Sequence, residues 1–144
     1  MKGGGRLRGR GVRLLPLALL LACGGGPQLT SLRCRDAAHC QDVEDPLKVL
    51  LAVDFADDTG TLDQGVLNLR LDGNTQQTVS LSDIFAAQGV PHGTKKGTLK
   101  IDDDFTLDRM SQGEGVSVSL VAVDGAGHGS NEPSITFTLH LGGR

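Results

Sequence analysis

Short runs in which apolar and polar residues alternate, each closed by turn residues, restrict the fold of this chain more than any other feature. They begin after Asp45-Pro46 and continue towards the C-terminus of the 144-residue sequence. The alternation is clearest over residues 47–55 and 116–123, where apolar residues recur at every second position. This pattern is typical of antiparallel sheets that pack one face on the core and leave the other in water.

Turn signals divide the remaining sequence into further short segments. Asp72-Gly73 is a strong hairpin signal, and Ser82 or Asp83 is placed to cap one helical turn that Gly89 ends. Further strands are predicted at 66–71, 77–81, 97–101 and 134–141, with a short one at Phe105 and Leu107. About seven strands in about 100 residues predict a single all-β domain, an antiparallel β-sandwich over residues 46–144.

Aromatic residues are scarce, since the chain has four Phe and no Trp or Tyr. The core of such a sandwich must therefore be built from Val, Leu and Ile. Exposed Trp and Tyr rings are the usual stacking platforms for flat ligands such as sugar rings. The composition therefore argues against carbohydrate as a ligand.

The N-terminal segment has the layout of a secretory signal. Five basic residues and no acidic residue occupy positions 1–13, and the uncharged apolar run that follows covers residues 14–22. A run of this length is too short for a transmembrane helix, which needs about 20 residues. We therefore expect residues 1–22 to be a signal peptide that is removed on export.

The end of this segment, Leu20-Leu21-Ala22-Cys23, resembles the lipobox of bacterial lipoproteins. The resemblance implies cleavage before Cys23, a diacylglyceryl thioether on its sulfur, and an acyl chain such as palmitate on its amino group. Two or more acyl chains anchor a protein stably, whereas one does not. Gly24 stands where an Asp retains enterobacterial lipoproteins at the inner membrane, which favours the outer membrane and leaves its periplasmic and surface faces both open. The alternative is an ordinary secretory signal cut near Ala22, which would leave Cys23 a free thiol.

Removal of residues 1–22 would leave an acidic domain. The full chain has 14 Lys and Arg against 17 Asp and Glu, a net charge of −3. The signal takes five basic residues with it, so nine remain against 17 and the net charge becomes −8. Nucleic-acid affinity comes mainly from neutralising phosphates, so a chain this acidic is not expected to bind nucleic acid.

The chain has three cysteines, an odd number for an exported protein. If Cys23 carries the lipid, as the resemblance implies, Cys34 and Cys40 remain as a pair. Exported proteins meet oxidising conditions in which disulfides persist, so we expect a bridge between them. The alternative is a metal site formed by Cys34, His39 and Cys40, although this spacing matches no common zinc pattern.

Residues 23–45 are polar and charged and show little apolar periodicity. Gly24-Gly25-Gly26-Pro27 lies near the start of the segment, a composition typical of flexible linkers. We therefore predict that a lipidated Cys23 is followed by a flexible tether that contains the small disulfide loop. Asp45-Pro46 marks the edge of the domain, because the residue before a proline is biased towards extended structure.

Two stretches of the predicted sandwich resemble bacterial Ig-like and fibronectin-III-like domains. Residues 119–131, SLVAVDGAGHGSN, are similar to the F strand and F–G turn of these domains, with His128 where the family usually has Asn. Residues 54–73, DFADDTGTLDQGVLNLRLDG, are similar to their opening. The resemblance implies an Ig-like sandwich. It says little about activity, since such folds host many functions.

Asp124, His128 and Ser130 lie close together in a Gly-rich stretch. An orienting carboxylate, a base and a nucleophile could come from such residues, but turn propensity alone accounts for each of them. The Gly-rich segments also lack the following helix and Lys of a phosphate-binding loop. We therefore predict no catalytic residues.

Calcium is the strongest ligand hypothesis, because hard carboxylate oxygens are the ligands that this ion prefers. No complete ligand set such as an EF-hand loop can be recognised, and acidic turns also serve to keep a surface soluble. We therefore expect no obligatory cofactor, with calcium as the candidate ion. The candidate ligands are Asp54, Asp57, Asp58, Asp102, Asp103 and Asp104.

These features predict a lipid-anchored, non-catalytic protein of the cell envelope that acts as an interaction or structural module. It would contact the membrane through its anchor and bind a protein partner of the envelope through loop tips or free sheet edges. The first alternative is a calcium-dependent adhesion or sensing module. The second is a secreted enzyme or an accessory domain of one.

Overall fold

The computed structural model describes residues 25–104 and 110–141, and of residues 103 and 104 it describes the backbone. Seven strands form two antiparallel sheets, ordered β1-β2-β5 and β4-β3-β6-β7. The prediction of an all-β antiparallel sandwich of about seven strands is confirmed. The strands are β1 (Gln28–Cys34), β2 (Lys48–Ala56), β3 (Val66–Leu71), β4 (Asn74–Ser80), β5 (Lys96–Asp104), β6 (Gly115–Val123) and β7 (Ser134–Thr138).

The central strands β2 and β6 supply most of the core, as their alternation predicts. Val49, Leu51 and Val53 of β2 are fully buried, and so are Val118 and Leu120 of β6. Each fully buried Val or Leu side chain contributes about 1.5–3 kcal/mol relative to an exposed one. This core is almost wholly aliphatic. Burial and close packing of its side chains therefore stabilise the two sheets, and ring stacking contributes little.

Two short helices close one side of the sandwich. A 3-10 helix (Leu62–Gln64) precedes β3, and the α-helix α1 (Leu81–Ala87) joins β4 to β5. The predicted helical turn is therefore confirmed, beginning at Leu81, whose N–H donates to the carbonyl of Gly65 at 3.1 Å. Phe85 of α1 packs on Phe55 of β2 with ring centroids 5.4 Å apart. This contact ties the helix to the sheet that contains β5.

The flexible tether predicted over residues 23–45 is wrong for a large part of that segment. Residues 28–34 form β1, which pairs antiparallel with β2, and Leu29 is 1% exposed. The pairing register shifts between Thr30 and Arg33, and Ser31 has a φ of 52°. This irregularity interrupts the alternation of apolar residues, which is why the sequence pattern does not reveal the strand.

Three strand boundaries also differ from the predicted ones, and one of them is the end of β5, which lies at Asp104 instead of residue 101. β4 begins at Asn74 instead of residue 77, because its exposed polar residues pair through the backbone with β3 and leave no apolar signal. β7 ends at Thr138, and Leu139 bonds instead to Glu114. The strand predicted around Phe105 and Leu107 lies outside the described residues.

The loops gather at the two ends of the sandwich. The loop end comprises residues 25–27, 57–65, 89–95 and 124–131, and the disulfide end comprises residues 35–47, 72–73, 110–115 and 139–141. At the loop end, Gly125 N–H donates to the Thr61 carbonyl and Asp57 N–H donates to the Lys95 carbonyl. No helix within residues 25–104 or 110–141 combines the length and hydropathy that a membrane crossing requires.

Candidate functional site

A lateral groove of about 660 Å³ lies between the edge strands β4 and β5. Helix α1 joins β4 of one sheet to β5 of the other and lines the groove. The groove therefore lies at the open side between the two sheets. Its apolar lining includes Val79 of β4, Ile84 and Ala87 of α1, and Ile101 of β5. A groove of this size with an apolar lining is the usual form of a binding site for a ligand or for a side chain of a partner.

Charged and polar side chains surround this apolar lining. Arg35 forms an ion pair with Asp102, and Asp83 and Lys100 also line the groove. Lys100 forms no ion pair with another side chain of the described residues. The groove therefore combines an apolar floor with charges of both signs, which suits recognition of an amphipathic segment better than that of a small apolar molecule.

A side-chain amide occupies the outer edge of β5 beside the groove. Gln88, just after α1, accepts a hydrogen bond from the N–H of Lys100 at 2.9 Å and donates to its carbonyl at 2.7 Å. The amide thus makes the two bonds that a neighbouring strand would make with the same residue. This arrangement is an effective block to edge-to-edge pairing.

The same device recurs on two other edges. Asn131 accepts from the N–H of Leu29 in β1 and donates to its carbonyl, both at 2.7 Å. Gln41 makes the equivalent pair of bonds with His140, which continues the outer edge of β7. The fourth edge, β4, carries a bulge at Gln76. Each edge in the described part of the chain therefore carries one local feature that opposes pairing at that position.

The Cys34–Cys40 disulfide is present, as predicted. It uses both sulfurs that the alternative metal site would need. A second cleft, of about 370 Å³, lies between the disulfide loop and β7, with His39 and His140 in its lining. Val43 beside it is 84% exposed. This cleft has little more than half the volume of the lateral groove, so we treat the groove as the candidate site.

Two of the calcium candidates, Asp54 and Asp102, already have protein partners. Asp54 accepts from the Thr98 hydroxyl at 2.7 Å and pairs with Arg33 at 3.3 Å. The Thr98 hydrogen bond, followed by the contacts with Arg33, holds the pKa of Asp54 below its ordinary value. Asp54 lies opposite Thr98 in the β2–β5 register. It is thus about 13 Å along the strand from Asp102, too far for one ion to bind both carboxylates.

Asp57 has a structural role in the loop end. It is 1% exposed and accepts hydrogen bonds from the backbone N–H groups of Thr59 and Thr61 and from the Thr59 hydroxyl. Asp58 beside it is exposed. The side chains of Asp103 and Asp104 lie outside the described part of the structure. Among the side chains that are described, no three His, Cys, Asp or Glu residues are grouped to hold a metal ion.

Asp124 organises the turn between β6 and β7. It is 4% exposed and accepts from the N–H groups of Ala126 and His128 and from Nδ1 of His128. Burial alone would raise the pKa of Asp124, but these hydrogen bonds and the charge of His128 hold it below its ordinary value. Ser130 donates its hydroxyl to the Asn131 carbonyl at 2.6 Å. The serine proton is thus committed to the backbone, and the turn interpretation describes these residues.

A second Asp–His pair was not visible in the sequence. Asp63 in the 3-10 helix is 7% exposed, and its Oδ2 contacts Nδ1 of His92, whose side chain is 72% exposed. The other carboxylate oxygen of Asp63 is buried without a partner among the described residues. The two residues are 29 positions apart, so no local motif signals the contact. Like Asp124 and His128, they place an exposed imidazole over a buried carboxylate at the loop end.

The proposed lipidation residue, Cys23, and the predicted signal peptide lie outside the described residues. No model of a protein family matches this chain, and neither does any curated protein. Among solved structures, the chain is similar to the spore cortex lytic enzyme SleM of Clostridium perfringens, with a TM-score of 0.43 and 16% identity. The similarity covers 77% of this chain and 27% of that enzyme, so the chain spans about a quarter of its length. A likeness at this level carries no statement about activity.

Proposed function

We propose that this chain is a non-catalytic interaction module that a lipid on Cys23 holds at the bacterial envelope, with the outer membrane as the favoured location. The lipobox resemblance and the basic, then apolar, N-terminal segment support the anchor. The lateral groove supports the binding role. A protein partner of the envelope would insert an amphipathic segment there, with apolar side chains against Val79 and Ile84.

The groove is the observation on which the binding role rests. It places Val79 of β4 and Ile101 of β5, from opposite sheets, on one floor. Strand addition at β5 would have to displace Gln88 from Lys100, which favours the groove over this edge. Recognition by side chains in the groove requires no such displacement.

The anchor is tested by intact mass and membrane partition of the full-length chain expressed in a bacterium. We expect a mass that matches cleavage before Cys23 and acylation, together with recovery in the membrane fraction. The Cys23→Ser variant should lose both. A Cys34→Ser/Cys40→Ser variant is the matched control, since it removes two other cysteines and should keep the lipid. An unacylated wild-type chain in the soluble fraction would refute the anchor.

The binding role is tested by photocrosslinking in the same cells. A photoreactive amino acid replaces Ala87, which lines the groove, or Ala86, its exposed neighbour on α1 that does not. We expect a discrete adduct from position 87 that is absent from position 86. An Ile84→Asp substitution should abolish that adduct. Equal adducts from both positions, or none from either, would contradict a partner in the groove.

A further inference from the structure

The N-terminal residues of the described chain are packed against the loop end. Pro27 is buried, and β1 begins directly after it at Gln28. A Cβ added to Gly26 would lie 2.5 Å from the Gly129 carbonyl oxygen and 3.1 Å from Cβ of His128. The backbone at Gly26 is therefore seated on the turn between β6 and β7.

This packing of Gly26 places Cys23, the proposed lipid anchor, very close to the loop end. Three Cα steps separate Cys23 from Gly26, so the two residues are at most about 11 Å apart even when fully extended. The headgroup layer of a bilayer is itself about 5–8 Å thick on each side. A lipid on Cys23 would consequently bring the loop end into contact with the headgroups.

The loop end is suited to that contact because it exposes few charged residues, and these are of both signs. Its exposed charged residues are Asp58 and Lys95, and Lys96 follows at once. The carboxylates of Asp57, Asp63 and Asp124 are buried, and each contacts a protein partner. The charges exposed on this surface are therefore balanced, with Asp58 against Lys95 and Lys96, which limits repulsion by anionic lipids.

The disulfide end has the opposite character. Arg35 is its one Lys or Arg residue, and it is paired with Asp102. β2 spans nine residues between the two ends, a length of about 30 Å. This separation exceeds the Debye length of about 8 Å at physiological ionic strength, so an upright sandwich keeps these carboxylates clear of the surface potential. The carboxylates of the disulfide end are Asp36, Asp42, Glu44, Asp45, Asp72 and Glu114.

From these observations, and resting on the proposed lipid anchor, we infer that the loop end is a membrane-contact surface that docks on lipid headgroups. The sandwich stands with its strands directed away from the bilayer. The groove then faces sideways, parallel to the membrane plane, and the acidic disulfide end points outward. A partner would approach the groove from the side and not from above.

The absence of Trp and Tyr provides a direct test. A single Trp is introduced at Ala126 of the loop end or at Ala38 of the disulfide end. The sites are matched, because each alanine is exposed and donates its N–H to an Asp two residues earlier, Asp124 or Asp36. The acylated full-length chains are reconstituted in phosphatidylethanolamine–phosphatidylglycerol vesicles that carry nitroxide-labelled headgroups, and Trp emission is compared with that in unlabelled vesicles.

We expect Trp at position 126 to lose most of its emission and Trp at position 38 to retain nearly all of it. Equal quenching at both sites, or stronger quenching at position 38, would overturn the docking while leaving the anchor intact. A chain whose mass shows no acylation and that does not float with the vesicles would refute the anchor and the docking together. The two failures are therefore distinguishable.

Hydrogen exchange of the unsubstituted acylated chain gives a second measurement that does not depend on folding of a variant. Peptides that cover residues 57–65, 89–95 and 124–131 should exchange more slowly on vesicles than in detergent micelles. The peptide that covers residues 35–47 should be unchanged. Uniform slowing of all four peptides, or no slowing at all, would contradict docking by the loop end.

Discussion

The two ends of the sandwich are stabilised by different means. At the loop end, the carboxylates of Asp57 and Asp124 lie inside the turns that they stabilise and accept hydrogen bonds from backbone N–H groups. At the disulfide end, a covalent bond between Cys34 and Cys40 closes the loop, and its carboxylates remain largely in water. The loop end therefore depends on carboxylate charge that is buried and hydrogen-bonded, whereas the disulfide end depends on a cross-link.

This difference separates the conditions to which the two ends are sensitive. Protonation of a buried carboxylate weakens the hydrogen bonds that it accepts, so acid acts on the loop end. Reduction opens the cross-link, so a thiol reagent acts on the disulfide end. Four predictions test this comparison, ordered by the size of the expected effect.

Asp57→Ala should have the largest effect. The substitution removes three hydrogen bonds to a charged acceptor and leaves the Thr61 N–H without its partner, so we expect a loss of about 3 kcal/mol. Urea unfolding of the purified domain measures the change. The neighbouring exposed residue gives a matched control, and Asp58→Ala should change the free energy of unfolding by less than about 0.5 kcal/mol. Similar losses in the two variants would show that the buried carboxylate has no special role.

Reduction of the disulfide should cost about 2 kcal/mol, as the entropy of a short closed loop implies. Urea unfolding with and without a reducing agent measures this loss, and the Cys34→Ala/Cys40→Ala variant should reproduce it. Hydrogen exchange locates the effect, which should appear in residues 35–47 and leave 57–65 unchanged. Faster exchange at residues 57–65 would mean that the two ends are not independent.

Asp124→Asn should lower stability at pH 7 by about 1 kcal/mol, because the amide keeps an acceptor oxygen but loses the charge that His128 and the N–H groups face. The pKa of Asp124 is lower in the folded chain than its ordinary value of about 3.9. Its stabilisation is therefore present above that value and is lost as the pH falls through the lower, folded pKa. Acid unfolding of the Asn variant should show a shallower decline below pH 4 than that of the wild type, and identical profiles would assign the acid sensitivity to other groups.

Substitution of the amide caps, the side-chain amides that bond to the N–H and carbonyl of an edge residue, should have the smallest effects on stability. These effects should be similar at the two ends. Asn131→Ala at the loop end and Gln41→Ala at the disulfide end each return one residue of an edge strand to water. We expect each to cost about 1 kcal/mol or less. Gln28→Ala, at an exposed position beside Leu29, should be neutral. A cap variant that is stable but self-associates in sedimentation would identify edge protection as the main role of the amide.

The strands with the strongest alternation could be predicted from the sequence almost to the residue. β3 and β6 fall within one residue of their predicted bounds because one face of each is buried and the other is not. β1 was missed because the irregularity at Ser31 interrupts its pattern. The predicted β4 was too short at its N-terminal end because an exposed edge strand needs no apolar residues to form its backbone hydrogen bonds.

The groove and the amide caps could not be predicted, because both depend on contacts between distant parts of the chain. The groove exists where α1 crosses from β4 to β5, and its floor joins Val79 to Ile101. No local spacing distinguishes a capping amide such as Gln88 from any other polar loop residue. The turn chemistry of Asp124 is local, by contrast, and the sequence interpretation of that turn agrees with its hydrogen bonds.

The caps on β1 and beyond β7 also determine the order in which the sandwich can be completed. Leu29 and Asn131 are 102 positions apart, and Gln41 and His140 are 99 apart. During synthesis or export from the N-terminus, β1 and β2 are available to pair long before either cap exists. The N–H and carbonyl of Leu29 on the edge of β1 therefore remain unpaired until Asn131 has emerged, and that interval is when the chain is most exposed to mispairing with a second copy. The segment that contains Asn131 thus completes the edge of the first strand. A chain truncated before Asn131 would leave the N–H and carbonyl of Leu29 without these partners.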